Sequence, residues 1–356
     1  MTSPRPRRVL HVVDRITGGV PVAVRTYIAH SPPDVEHVVT SPFVDGAPAA
    51  VWRADDGAAA TFLDWDVRTP AHAATALHRL LRRTDADVVH AHSSFPGAFA
   101  RLVRSRSGPR LVYTPHCFGF ARTDISRPAR LAYRRVERLL AGRTDVLAAC
   151  GPGEAATARA LGSRVGTVTV IPNVASLVPL PSPGDRRPGP LRVGMMGRWS
   201  PQKDPAYFAA TVDRLRQEIG TVDATWIGGP PDDTAAGIEI TGWLDGPDVG
   251  SALASLDVYL HTAAWEGFPI ALLDAHAAGL PILARRIAAL PCLPAPLTIE
   301  DGLIDLVGAV RTDDVDAWRA RTVAAWDHYL DGNTVDAQRA ALGRVWAPTV
   351  DLWPRR

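Results

Sequence analysis

Short apolar runs, each closed by a turn signal and followed by an amphipathic stretch, alternate along the chain. Val9 to Val13 is such a run, then Gly18 and Gly19, then a helical pattern from Val22 to His30. Val35 to Thr40 and Thr61 to Leu63 read as strands, and Ala71 to Arg83 as a helix with Ala73, Leu77, Leu80 and Leu81 on one face. Asp87 to His90, Leu111 to Thr114, Val146 to Ala149 and Val168 to Ile171 follow as strands. Ala98 to Arg106, Arg130 to Leu140 and Gly153 to Leu161 are the helices between them. This alternation predicts parallel βαβ units.

The pattern stops at Ser176 to Pro190, a stretch rich in Pro, Gly and charge that reads as a linker. It restarts with strands at Leu191 to Met196, Ala224 to Ile227, Ile238 to Thr241, Val258 to His261 and Ile282 to Ala284. Helices are expected at Pro205 to Ile219, Val249 to Ser255, Ile270 to Ala278, Asp313 to Tyr329 and Val335 to Arg344. The expectation is an α/β chain of two doubly wound, Rossmann-like domains, 1–175 and 191–335, joined by the linker 176–190. Ligands bind outside the carboxyl ends of strands in open parallel sheets. Two such sheets facing each other would therefore make one deep cleft.

Composition narrows the function classes. The chain has 356 residues, 46% of them apolar, and a net charge of only +2. That excludes a disordered chain and a strongly electrostatic nucleic-acid binder. No apolar run approaches the roughly twenty residues needed to span a bilayer. Cys117, Cys150 and Cys292 are too widely spaced for a metal set or a disulfide framework, so three unpaired, buried thiols in a reducing cytosol are expected. Basic charge is carried by arginine almost throughout, and Lys203 is the only lysine.

Three segments carry candidate chemistry. Gly18 and Gly19 close the first strand, where glycines let backbone approach an anion at a helix start. They equally suit an ordinary tight turn, and the dinucleotide fingerprint G-x-G-x-x-G is absent. Gly197 to Asp204 (GRWSPQKD) opens the second domain; Arg198 as a fork and Lys203 as a point charge can converge on a diphosphate there. In Trp265 to Ala275 (WEGFPIALLDA), Glu266 lies at a turn where a carboxylate can accept sugar hydroxyls. Asp274 follows about two turns on along one helix face. An acid favoured by the helix dipole and a solvent-facing Asp are the plainer alternatives. His116 ends a strand, while His90 and His92 end the one before it and are as readily structural. Trp199 and Trp243 could stack on a base or sugar.

Taken together and in order, TGGV (17–20), DVVHAHSSFPG (87–97), VYTPHCFGF (112–120), VIPNV (170–174), GRWSPQKD (197–204) and EGFPIALLDAHAAGLPI (266–282) resemble the retaining glycosyltransferases of family 4. The resemblance covers nearly the whole chain and implies the GT-B fold. It implies that a UDP- or GDP-linked sugar is the donor substrate, with no further cofactor and no metal. Arg198 and Lys203 would bind the donor diphosphate, with Gly18 and Gly19 lending backbone to the same phosphates. Glu266, Gly267, Phe268, Pro269, Leu273 and Asp274 would line the donor site, and His116 would sit near the reacting carbon, with Glu266 its partner in catalysis. A C-terminal helix, 336–356, would pack back on the first domain.

The chain departs from the family at two places. The family motif has Glu where Asp274 stands, one methylene longer. After Pro281 and Ile282 the family has a glycine pair and then a Glu, whereas here the loop is Ala284 to Leu290 (ARRIAAL). These departures hold open a GT-B protein that binds nucleotide without turnover, and a nucleotide-sugar epimerase or a glycan phosphorylase on the same fold is a further alternative. Acceptors open to such an enzyme are a glycan, a lipid-linked sugar or a small molecule. Arg5, Arg7 and Arg8, with Arg122, Arg127, Arg130, Arg134 and Arg135, could meet the anionic inner face of the cell membrane. A solvated arginine-rich helix is the commoner explanation. Oligomeric state is not legible.

Overall fold

The structure, a computed structural model, describes residues 5–52, 60–105, 107–162, 166–177, 189–230 and 237–347. The chain forms two compact units. Unit 1 is Met1–Val174 with Asn333–Arg356, and unit 2 is Ala175–Gly332.

Unit 1 is built on β1 (Arg7–Val13), β2 (Val35–Ser41), β3 (Thr61–Asp64), β4 (Val88–His92), β5 (Arg110–Thr114), β6 (Val146–Ala149) and β7 (Thr167–Val170). The sheet is parallel throughout, in the order β3-β2-β1-β4-β5-β6-β7. The connecting helices are α1 (Gly19–Ala29), α2 (Pro70–Arg83), α3 (Ser94–Val103), α4 (Arg127–Leu140) and α5 (Pro152–Arg159). Unit 2 repeats the plan with β8 (Leu191–Met196), β9 (Val222–Ile227), β10 (Glu239–Ile240), β11 (Val258–His261) and β12 (Ile282–Ala284), in the order β10-β9-β8-β11-β12, again all parallel. Its helices are α6 (Pro205–Ile219), α7 (Gly246–Ala254), α8 (Ile270–Ala277), α9 (Ile299–Arg311) and α10 (Val315–Tyr329). A last helix, α11 (Val335–Val345), belongs to unit 1.

In each sheet the winding reverses beside the first strand, between β1 and β4 and between β8 and β11. This is where an open parallel sheet parts its loops and leaves room for a ligand.

The return to unit 1 comes at Asn333, slightly before the expected boundary at 335. There the Asn333 side chain donates to the Asn173 carbonyl at 2.9 Å, and Thr334 caps α11 through Ala337 N at 3.1 Å. Gln338, wholly buried, then ties α11 to Pro172 O and His30. Trp346 packs with Val9, Tyr27, Val88 and Val112. Of the predicted linker, 178–188 lies outside the described residues, as does 348–356 of the predicted terminal helix. Asp274 captures the start of the linker, as described below.

Four helices begin three or four residues earlier than the hydrophobic pattern suggests. α1 starts at Gly19, α3 at Ser94, α4 at Arg127 and α7 at Gly246, with Pro21, Pro96, Pro128 and Pro247 inside their first turns. A proline reads as a breaker, but in the first turn its missing N–H has no intrahelical partner to lose. α9 was not expected at all. Its apolar pattern is interrupted by Gly302 and Gly308, and Gly302 is needed because a Cβ there would collide with Pro296 O and Leu283. Cys292 is exposed and Cys117 half-buried rather than buried, while Cys150 is buried as expected.

Candidate active site

In unit 2 the loops that leave β8 and β11 are stitched to each other. Ala264 N donates to Gln202 O at 2.8 Å, the Thr262 hydroxyl to Lys203 O at 3.0 Å, and Gln202 Nε2 to Trp265 O at 3.2 Å. The stitching brings Lys203 Nζ to 2.6 Å from Glu266 Oε1, and Gln202 Nε2 to 3.2 Å from Glu266 Oε2. The ion pair is only 14% and 10% exposed, so it is not a loose surface bridge. Arg198 stands exposed beside it and touches the Gln202 amide at 3.4 Å; it has no carboxylate partner among the described residues.

Gly197 makes this arrangement fit. Its φ is 151°, and a Cβ there would lie 2.8 Å from Lys203 Cε. Trp226 Nε1 holds its carbonyl at 2.8 Å. The lysine stem therefore passes directly over a residue that must have no side chain.

Asp204 closes the loop by capping α6, accepting from Tyr207 N at 3.1 Å. Its other oxygen meets Arg285 at 2.7 Å, and the Arg285 guanidinium lies 4.3 Å over the Tyr207 ring. The departure from the family pattern at 284–290 thus begins with an arginine fastened to the helix that follows Lys203.

Gly267, Phe268 and Pro269 are buried at the turn into α8, with Leu273 4% exposed on that helix. Asp274 is placed differently from a ligand group waiting in solvent. It is 3% exposed, and both its oxygens are already used: Oδ1 accepts from Ser176 N at 2.6 Å and Leu177 N at 3.2 Å, and Oδ2 from the Ser176 hydroxyl at 2.9 Å. Burial pushes its carboxyl up to about 6, against the lowering effect of those bonds.

The spacing pointed to neither Gln202 nor His261. His261, the last residue of β11, is wholly buried, and neither ring nitrogen has a partner among the described residues. Burial first, and the Lys203 charge second, hold its ring well below the ordinary imidazole range.

In unit 1 Gly18 takes φ 85° and precedes α1, whose first turn has no side-chain cap and no acid. A Cβ on Gly19 would meet nothing within 4 Å, so no protein contact demands glycine there. His116 follows β5 with φ 50°, and Cys117 has φ 94°. Two successive non-glycine residues in this region need outside support. The buried Glu154 carboxylate supplies it, accepting from Cys117 N at 2.6 Å and Cys150 N at 2.9 Å. His92 does end β4, with His90 two residues inside it, but both are wholly buried and neither opens onto solvent. Trp199 packs edge-on against Trp226 at 4.8 Å, whereas Trp243 is 65% exposed.

The Glycosyl transferase 4-like domain model matches residues 18–174, and the Glycosyl transferases group 1 model matches residues 190–326. The chain belongs to the family 4 glycosyltransferases, with the GT-B fold. A sucrose-phosphate synthase from Thermosynechococcus elongatus has the same fold at a TM-score of 0.73, with 13% identity over 96% of this chain and 98% of that one. Anabaena Alr3699/HepE in complex with UDP and glucose gives a TM-score of 0.72, with 17% identity over 95% and 98%. By sequence, the chain is 27% identical over 244 residues to the UDP-Gal:α-D-GlcNAc-diphosphoundecaprenol α-1,3-galactosyltransferase of Escherichia coli. The match covers 61% of this glycosyltransferase-family chain and 62% of that enzyme. An uncharacterized 41.2 kDa protein of the Klebsiella pneumoniae cps region is 26% identical over 247 residues, 64% of this chain and 67% of that one.

Proposed function

We propose that the protein transfers a sugar from a UDP-linked donor to an acceptor hydroxyl with retention of configuration. The observation that carries this reading is the paired Lys203 and Glu266, flanked by Arg198 and Gln202, at the point where the unit 2 sheet reverses its winding. Fixed cations there match the charge that grows on a departing diphosphate, and Glu266 can orient a sugar by its hydroxyls. The sugar C1–O bond to the diphosphate breaks, and the acceptor oxygen bonds to C1 on the same face. The acceptor proton ends on the phosphate oxygen. The products are the glycoside and UDP. In unit 1 the start of α1, with Gly18 and Gly19, is assigned to an anion, and His116 to a sugar hydroxyl.

UDP is preferred over GDP because the HepE structure holds UDP and the E. coli relative is named for UDP-Gal. Asp274 reaches a ribose only by exchanging its three bonds to Ser176 and Leu177. Calorimetric titration with UDP and with GDP tests the reading. UDP is expected to bind with a dissociation constant well below that of GDP. Binding of neither would remove the nucleotide-sugar assignment, and conversion of a UDP-sugar without acceptor would point to an epimerase.

The acceptor is assigned to a lipid-linked glycan at the anionic inner face of the cell membrane, as in the diphosphoundecaprenol named for the E. coli relative. Among the described residues no helix is long and apolar enough to cross a membrane. The support is α4, whose apolar residues face outward. Its inward pole is the buried Glu137, while Leu131, Val136 and Leu139 are 60%, 45% and 72% exposed. At about 100° per residue these three lie on the arc away from Glu137. Arg127, Arg134 and Arg135 flank them with no acidic partner among the described residues. By contrast, Arg5, Arg7, Arg8 and Arg122 are spent on Asp85, Asp87, Asp34, Glu36 and Asp124. Sedimentation with phosphatidylglycerol vesicles should carry the protein down, and phosphatidylcholine vesicles should not. The triple variant Arg127→Ala, Arg134→Ala and Arg135→Ala should lose about 3 kcal/mol of vesicle affinity, at about 1 kcal/mol per arginine. Equal sedimentation of the variant would overturn α4 as the contact.

A further inference from the structure

Beneath His116 lies a continuous file of imidazoles. His37 Nδ1 is 3.0 Å from His11 Nε2, His11 Nδ1 is 3.1 Å from His92 Nε2, and His92 Nδ1 is 3.0 Å from His116 Nε2. Three neighbouring strands set the file. His11 on β1 pairs in register with His90 on β4, Val9 on β1 pairs with His37 on β2, and His90 and His92 are two apart on one sheet face. α1 and α11 cover that face with Tyr27 and Trp346.

Every link runs from an Nδ1 to an Nε2. Burial holds all four rings below the ordinary imidazole range, His37 at about 4 and His116 at about 3, so each is neutral at pH 7 and carries one proton. Each link needs one proton and one lone pair. The four rings therefore share one tautomer, all Nδ1–H or all Nε2–H. The ends decide which. His37 Nε2 is buried and has no partner among the described residues. The Nε2–H form would leave an orphaned donor there, and orphaned buried donors are rarer than under-satisfied acceptors. At the other end His116 is partly exposed, and its Nδ1 has no partner among the described residues.

We propose that His92, His11 and His37 are positioning residues that fix His116 in the Nδ1–H tautomer, presenting a hydrogen-bond donor to the sugar-bearing substrate. The role at the sugar rests on the glycosyl-transfer reading; the tautomer does not. His90 is outside the file and opposite in state. Trp346 Nε1–H can only donate, and it meets His90 Nδ1 at 3.3 Å, so the His90 proton lies on Nε2, which faces the Thr114 hydroxyl at 2.8 Å. Ring nitrogens of His11, His90 and His92 lie within 4.8 Å of one another, as a metal set would. Each of their six nitrogens is already engaged, which leaves no lone pair for an ion.

The test is a long-range proton–nitrogen correlation spectrum of the full chain labelled with 15N-histidine, with His116 assigned by its loss in His116→Gln. His37, His11, His92 and His116 should show the Nδ1–H pattern and His90 the Nε2–H pattern. Free histidine favours Nε2–H, so the expected result is not the default. A spectrum with His116 as Nε2–H overturns the proposal, whatever the enzyme does. The second arm reads UDP release from UDP-galactose. His92→Phe removes the donor to His116 Nε2, should mix the His116 tautomers, and should lower kcat by about tenfold or more with little change in KM. His92→Asn keeps a side-chain N–H near the Nδ1 position and should recover most of that rate. An unchanged kcat in His92→Phe overturns the positioning role. If that variant fails to fold, the wild-type spectrum and His92→Asn still decide.

Discussion

Lys203→Ala should lower the rate of sugar transfer by on the order of 10²–10³, the effect of removing a donor aimed at developing charge. UDP affinity should fall with it, because the ammonium also faces the ground-state diphosphate. The substitution has a structural cost that must be separated from this. It strands the Glu266 carboxylate, 10% exposed, with the Gln202 amide as its one remaining side-chain partner among the described residues. Removing one member of a buried pair typically costs about 3–5 kcal/mol, and the residual exposure here places the loss toward the lower end. Chemical denaturation reports that loss and calorimetry with UDP reports the binding loss. A variant that is destabilised yet turns over normally would show that Lys203 is a structural cation, and the proposed donor site would fall. No side chain at Gly197 can take over the role, since a Cβ there would lie 2.8 Å from Lys203 Cε.

Glu266→Gln should separate binding from turnover. Glutamine keeps the shape and can keep a contact to Gln202, but it gives up the charge that now holds Lys203 Nζ at 2.6 Å. The ammonium is then free to turn wholly toward phosphate, so UDP should bind as tightly as before or more tightly. The rate of sugar transfer should still fall, by on the order of 10²–10⁴ if the carboxylate takes part in the reaction. Steady-state kinetics with a UDP-sugar reads this as a drop in kcat without a rise in KM. A wild-type kcat would mean that Glu266 only tethers Lys203. A fall in UDP affinity as steep as that of Lys203→Ala would mean that the pair acts as one structural unit.

These two residues also show how far local pattern reaches. Lys203 and Glu266 each stood out by position: one the chain's single lysine on a strand-to-helix loop, the other at a turn before a helix. That they meet, and that Gln202 joins them, follows from β8 and β11 being neighbours in the sheet. Gln202 carries no local signature, since an amide suits any loop, and only the crossing bonds from 262–265 give it a task. Asp274 was legible as a carboxylate on the right helix. Its three bonds to Ser176 and Leu177 were not, because they join segments about a hundred residues apart that no periodicity relates.

The histidine file marks the same boundary from the other side. His90 and His92 read as strand-end residues, and their alternation already put them on one face. What was missing was register: the pairing of β1 with β2 and β4 is set by long-range backbone bonding, and it alone lines His11 and His37 up behind them. The early starts of α1, α3, α4 and α7 were hidden for a local reason, a proline whose tolerance depends on where in the helix it falls.

By itself, then, the order of apolar runs and glycine turns determined two parallel α/β units and marked the loops that bear Gly18, His116, Arg198, Lys203 and Glu266. This was possible because burial periodicity and turn chemistry act over a few residues. The tertiary structure alone decided which of those side chains pair, which are already spent and which ring carries its proton where. Those outcomes depend on strand order and register, and on the burial of charge and hydrogen-bonding groups between segments distant in the chain.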